Sequence, residues 1–406
     1  MSRRRAWAVG AAVIAALSLT ATAPALAASP AAASPAASTP TARVAGAEGD
    51  TAATAGAHDR AVSLVGDMTT AERAASIVMG HIPSTDTQTL HAYMTQGLGG
   101  FILMGANIPE DESQVAALTA ALTVDPDLPP LVAIDQEGGI VSRLPSDDYA
   151  ASTTLKTLPV ADTVAAFSAR AALLAKAGIG VNFGTVADIT ADPSSFIHGR
   201  ALGTDPKAAA DRVSAATDAQ EQVIASTLKH FPGHGAAPGD SHHAIPSTTE
   251  TLEQWRATDA VPFVAGVESG ASLLMFGHLA YTSVDSAPAS LSARWHEIAR
   301  DELGFDGVIV TDDLGMLQSS GIPEYADPVA NAVAAVAAGN DLVLTIAGST
   351  PETAGEIIAG IAAAVEAGTL PADRLIDAAT RVMTLRLQST ATSADWVLCP
   401  DCEPVG

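Results

Sequence analysis

The sequence predicts a single (β/α)8 barrel, a TIM-type α/β fold, on three observations. Short apolar runs of strand length alternate with longer alanine-rich segments of helical character from residue 59 to residue 390. Glycine-containing turns of the kind that end helices precede several runs, at Gly97, Gly178, Gly270, Gly304 and Gly339. Polar residues follow nearly every run, as they do at the C-terminal mouth of a barrel. A doubly wound open sheet would instead collect them at one switch point.

The chain opens with the pattern of an export signal over 1–27. Arg3, Arg4 and Arg5 precede an apolar stretch over 7–19, and Ala25-Leu26-Ala27 offers a small-residue cleavage site. The apolar stretch is too short to span a membrane, and no cysteine follows for a lipid anchor. The expectation is an exported protein, secreted or cell-wall associated, with no stable membrane anchor. Residues 28–58 are Ala-, Ser-, Pro- and Thr-rich and read as a disordered linker.

The predicted barrel occupies 59–390. Its strands fall at 77–79, 101–104, 131–134, 179–183, 223–228, 273–276, 308–310 and 342–346, with helices at 160–177, 206–222, 327–338 and 353–367 among the segments between. The tail, 391–406, carries Cys399 and Cys402, read as a local disulfide loop in an exported chain.

Composition narrows the function. The chain has 406 residues, is 48% hydrophobic, and can bury one large core. Lys+Arg 20 against Asp+Glu 45 gives a net charge of -25, which repels nucleic acid and anionic lipid and otherwise means an acidic, soluble surface. A monomer is expected.

The stretch 228–243, LKHFPGHGAAPGDSHH, concentrates the chemistry. Its prolines and glycines forbid a helix, and the apolar run before it makes it a strand ending in a long polar loop. It supplies Lys229, His230, His234, Asp240 and His242. Other strand ends give Asp135-Gln136-Glu137-Gly138-Gly139 with Arg143, then Asp188 followed by His198-Gly199-Arg200, then His278, then Thr311-Asp312-Asp313. A lone Asp or Arg is ordinarily a salt bridge or a cap; this many on successive strand ends point to one convergent site.

These motifs resemble family 3 glycoside hydrolases, and within them the bacterial single-domain β-N-acetylhexosaminidases. The likeness rests on KHFPGHG followed by DSH, on DQEGG with its downstream arginine, on IHGR, and on FDGVIVTDDLGM, and it runs from about Asp67 to Ala379. It implies that Asp312 is the nucleophile and that His242 with Asp240 is the acid/base dyad. It further implies that Asp135, Arg143, Arg200, Lys229 and His230 hold the terminal N-acetylglucosamine and that Met316 lines the same subsite. No cofactor and no metal are implied. The implied partner is a GlcNAc-containing glycan, from peptidoglycan fragments or chitin oligosaccharides. Two-domain relatives take a glutamate from a second domain, for which this chain is expected to have no room, so the loop dyad must serve. Ile140 stands where arginine is common, and Ala201-Leu202 where a serine and an aromatic are common.

The chemistry suits these residue types. Retaining hydrolysis needs a carboxylate beneath the anomeric carbon and a proton donor beside the leaving oxygen. A strand-end aspartate is rigid enough for the first role, and a histidine oriented by a carboxylate exchanges a proton near neutral pH. Rival readings are a zinc site on His230, His234, His242, His243 and Asp240, a phosphorylase or a β-glucosidase on the same barrel, and a wall-binding protein without turnover.

Overall fold

The computed structural model describes residues 45–394, with side chains over 55–389; the export-signal pattern and the Cys399/Cys402 tail lie outside the described residues. Among the described residues there are ten strands. β1 (Val78–Gly80), β2 (Gly100–Leu103), β3 (Leu131–Ile134), β4 (Val181–Val186) and β5 (Ala225–Phe231) come first, and β6 (Ser247–Thr248) lies outside the barrel. β7 (Leu273–Phe276), β8 (Ala280–Tyr281), β9 (Val308–Thr311) and β10 (Val343–Leu344) follow.

Eight of these form one parallel sheet in the order β10-β1-β2-β3-β4-β5-β7-β9. The ends meet: Val310 bridges Leu342 in parallel, Thr311 N donates to Leu342 O at 3.1 Å, and Leu342 N donates to Ile309 O at 3.1 Å. The sheet is therefore a barrel and not an open doubly wound layer. Every strand predicted from an apolar run is found within a few residues. They are buried throughout, which is why most read as apolar runs and not as alternation; β4 and β5 also bury polar residues, among them Asn182, Thr185, Thr227 and Lys229. β6 and β8 pair as a parallel ribbon, too short to leave a pattern in the sequence.

One boundary differs from the expectation. The first helix, Ala45–Asp67, begins inside the segment 28–58 read as linker. Alanine is the strongest helix former, and Ala57, Ala61 and Val65, at helical spacing, pack on the core. A composition of small residues was mistaken for one with nothing to bury.

Aromatic residues, only 4% of the chain, gather behind β5 and β7. Phe231 meets Phe276 at 4.7 Å, Phe263 at 5.3 Å and Trp295 at 5.7 Å between ring centroids, and Trp255 meets Trp295 at 5.0 Å. This cluster fixes the strand that carries the histidine-rich stretch. Trp255 Nε1 donates to Pro232 O at 2.7 Å, and the Tyr281 hydroxyl donates to Gly233 O at 2.8 Å. Register shifts between Asn182 and Thr185 in β4, and between Leu228 and Phe231 in β5, mark irregularities beside the mouth, where such bulges re-aim side chains. At the first of them Gly184 is required: a Cβ there would lie 2.4 Å from Asn182 Nδ2 and 2.6 Å from Gln136 O. Among the described residues no helix is long and apolar enough to cross a membrane.

Candidate active site

The residues that end β3, β4, β5 and β9 converge on the C-terminal face. Lys229 Nζ lies 2.7 Å from both Asp135 Oδ1 and Glu137 Oε1. Arg200 forks onto Glu137, with Nε 3.0 Å from Oε2 and Nη2 2.8 Å from Oε1, and Nη2 is also 3.2 Å from His230 Nε2. Arg143 reaches Asp135 only at 3.8 Å. Asp188 holds the other side of His230, with Oδ2 2.7 Å from Nδ1, and its Oδ1 accepts the His234 N–H at 2.6 Å. Asp135, Arg143, Arg200, Lys229 and His230 thus form one connected network.

The electrostatics follow from burial and pairing. Burial alone would raise the Glu137 carboxyl, but Lys229 and Arg200 outweigh it and bring it down to about 2. Burial works the same way on Asp188 and is overcome by His230 and His234, so this carboxyl also lies below the ordinary range. His234, with Phe196 at 4.7 Å from its ring, is pushed down by burial to about 4 and is neutral at pH 7.

Asp312 follows β9 directly. Its backbone N–H donates to Phe276 O at 2.9 Å, and its Oδ1 accepts the Asp313 N–H at 2.8 Å. Burial raises its carboxyl; His230, His278, that N–H and Lys229 together carry it below the ordinary value. Burial drives the His278 ring toward its neutral form. The neighbouring Asp313 does a different job. Its carboxylate accepts N–H groups of Gly315 at 2.9 Å, Ile346 at 2.8 Å and Ala347 at 2.9 Å, tying β9 to the segment after β10. Met316 is buried in the helix Leu314–Ser319 that starts just past Asp312.

The dyad forms on the loop after β5. Asp240 Oδ1 lies 2.6 Å from His242 Nδ1 and accepts the His242 backbone N–H at 3.0 Å. Burial raises Asp240, and the His242 N–H and imidazole together more than reverse this. Both side chains face solvent, 56% exposed for His242 and 43% for Asp240, and among the described residues neither is bonded to the Lys229–Arg200 network. The five residues offered as zinc ligands do not gather: His230 is committed to Asp188 and His242 to Asp240. Among the described residues no group of three or more His, Cys, Asp or Glu is placed to hold a metal ion.

Sequence reasoning gave no role to Glu137 or Asp188, which knit the network together. Both were in view, Glu137 inside DQEGG and Asp188 at a strand end. What was missing was the pairing, which only the closed barrel brings about.

The comparisons agree with this geometry. Residues 69–385 match the model of the glycosyl hydrolase family 3 N terminal domain. A β-hexosaminidase of Bordetella avium is 36% identical over 273 residues, covering 64% of this chain and 76% of that protein. Among solved structures, a family 3 β-N-acetylglucosaminidase from Paenibacillus sp. is similar with a TM-score of 0.74 and 29% identity, over 82% of this chain and 64% of that longer one. A β-N-acetylhexosaminidase from Beutenbergia cavernae gives a TM-score of 0.69 and 28% identity, over 79% of this chain and 99% of that one. With most of its length inside the family's domain and its strand-end residues assembled at the barrel mouth, the chain belongs to glycosyl hydrolase family 3.

Proposed function

We propose that the protein is a retaining exo-β-N-acetylhexosaminidase that removes terminal β-linked N-acetylglucosamine. The observation that carries this reading is the Asp312 carboxylate. It sits at a strand end, is kept ionised, and shares the barrel mouth with the ion-pair network of Asp135, Lys229, Glu137 and Arg200. The names and likeness of the relatives support the choice of sugar.

In the first step Asp312 attacks the anomeric carbon and forms a covalent glycosyl-enzyme, while His242 protonates the leaving oxygen. Asp240 holds the imidazole by Nδ1, leaving Nε2 for the transferred proton. In the second step the same ring takes a proton from water, which attacks the anomeric carbon and releases the sugar with retained configuration. Asp135 accepts sugar hydroxyls, and Lys229, Arg200, Arg143 and His230 donate to the sugar's oxygens, with Met316 closing the subsite. Because the dyad is exposed, its loop must fold over the bound sugar to deliver the proton. Export of the chain is part of the proposal, on the basic and apolar pattern of its first residues. Its substrates would then be peptidoglycan fragments or chitin oligosaccharides outside the cell.

The test is a panel of aryl β-glycosides with and without phosphate, together with a slowly turned-over fluorinated N-acetylglucosaminide for trapping. Free N-acetylglucosamine as product and a covalent label on Asp312 are expected. Sugar 1-phosphate as product would make the enzyme a phosphorylase, preference for the glucoside would change the sugar, and a label on another carboxylate would overturn the mechanism.

A further inference from the structure

His278, just past the end of β7, takes no part in the proposed sugar binding or proton transfers. It is buried, and both ring nitrogens are engaged. Nε2 lies 2.8 Å from the Asp313 main-chain carbonyl, and Nδ1 lies 2.7 Å from the Ser290 hydroxyl. A carbonyl oxygen can only accept, so Nε2 carries the hydrogen. Burial keeps the ring neutral, which leaves Nδ1 as a lone pair that accepts the Ser290 O–H. The two neighbours therefore select one tautomer.

Both neighbours are themselves held. Ser290 belongs to the short turn Ala289–Leu291, whose Ala289 N–H donates to Leu279 O at 2.8 Å and whose Ser290 N–H donates to Gly277 O at 3.2 Å. These bonds lie on either side of His278. The buried Asn340 amide donates to the Ser290 carbonyl at 2.7 Å.

On the other side, every polar atom of Asp313 is tied beside Asp312. Its N–H donates to Asp312 Oδ1 at 2.8 Å, and its carboxylate accepts N–H groups of Gly315, Ile346 and Ala347. Its carbonyl accepts the Met316 N–H at 2.9 Å together with the His278 ring. The Asp312 N–H donates to Phe276 O at 2.9 Å, so the end of β7 grips this segment twice, through Phe276 and through His278. How residue 313 is held sets the direction of its N–H, and that N–H holds the Asp312 carboxylate.

We propose that His278 is a positioning residue: its Nε2–H holds the Asp313 carbonyl and thereby aims the Asp312 carboxylate, with Ser290 fixing the ring. The inference rests on the reading of Asp312 as nucleophile. A neutral ring supplies direction and not charge. The requirement is then for a donor at the Nε2 position, which a glutamine amide reaches; an asparagine amide falls near Nδ1 instead and misses the carbonyl.

The experiment follows covalent labelling of Asp312 by the fluorinated N-acetylglucosaminide in the parent and in His278→Ala, His278→Asn and His278→Gln. Labelling, and kcat on an aryl N-acetylglucosaminide, should fall by about 10²-fold for the alanine and asparagine variants and return to within about tenfold of the parent for glutamine. The inhibition constant of N-acetylglucosamine should stay within about threefold in all of them, a split that a merely structural role would not produce. The asparagine and glutamine variants carry the comparison by themselves should the alanine variant fail to fold. Nitrogen-15 NMR of the parent, with the His278 signals identified by their loss in His278→Gln, should show the ring hydrogen on Nε2. Equal rates for glutamine and asparagine, sugar affinity lost in step with rate, or the hydrogen on Nδ1 would overturn the inference. A parent labelled on another carboxylate would overturn the nucleophile reading and this inference with it. A parent labelled on Asp312, with variants labelled as fast, would overturn this inference alone.

Discussion

The strand ends and the dyad loop divide the proposed chemistry between two kinds of surroundings. Lys229, Glu137 and Asp188 are almost fully buried, each bonded to at least two others, on strands locked by the barrel ladder. The side chains of Asp240 and His242, among the described residues, hydrogen-bond only within this pair, in solvent, on a glycine- and proline-rich loop. A carboxylate that must hit one carbon gains from the first setting, since fixed geometry lowers the barrier without reorganisation. A proton donor that must admit the sugar and then release the aglycone gains from the second. The difference teaches that the same face can be rigid where bonds to carbon form and loose where protons move. Mutating each half separately tests that division.

The largest effect is expected from Asp312→Asn. It removes the proposed nucleophile but keeps the side chain's shape, so turnover should fall by about 10⁴-fold or more on every substrate, whatever the leaving group. Circular dichroism and thermal melting should match the parent. Retention of even a hundredth of the activity would break the comparison at its rigid end.

Next comes Lys229→Ala. Removing the ammonium leaves Asp135 and Glu137 facing each other across a buried gap that Arg200 only partly neutralises. Stability should drop by about 3–5 kcal/mol in denaturant unfolding, with KM for the sugar rising as well. A loss of binding with no loss of stability would mean that the network is less tightly coupled than its distances imply.

His242→Ala should leave stability within about 0.5 kcal/mol of the parent, because the ring is exposed and bonds only to Asp240. Its kinetic signature is selective. On a substrate with a poor leaving group the rate should fall by about 10²- to 10³-fold, and on an activated aryl glycoside the first step should be nearly untouched. Equal losses on both would deny the ring its role as acid.

How much of this was legible beforehand depends on range. Most of the eight strands were readable because strands buried on both faces are largely apolar runs, as in Phe101–Leu103 and Leu273–Phe276. Asp240 and His242 were readable as a pair because a single residue, Ser241, separates them along the chain, and the structure brings them into contact. Glu137 with Arg200, and Asp188 with His230, are far apart in sequence, so their pairing waits on barrel closure. The meeting of Glu250, Thr258 and Asp259 had no signal at all, since a threonine and an aspartate at a helix junction read as an ordinary cap. The helical start at Ala45 was hidden for the opposite reason: alanine is both what linkers and what helices are made of.

The smallest effect concerns acid. Glu137 falls from 4.5 unfolded to about 2 in the folded chain, because Lys229 and Arg200 outweigh the penalty of burial. A carboxyl depressed on folding stabilises above its unfolded value, and that stabilisation is lost as pH falls through the folded value. The window is therefore pH 4.5 down to about 2. Over it the parent should lose about 2 kcal/mol that Glu137→Gln, lacking a proton to bind there, does not lose. The variant starts less stable at pH 7 because its amide faces two buried cations, and its stability curve should run flatter into acid. Asp240→Asn, on the exposed loop, should change neither the starting stability nor the slope measurably, as screening in solvent leaves such a pair little weight. Parallel slopes for Glu137→Gln and the parent would show that the buried network does not hold its charge as its geometry requires, and the contrast between strand ends and loop would lose its electrostatic basis.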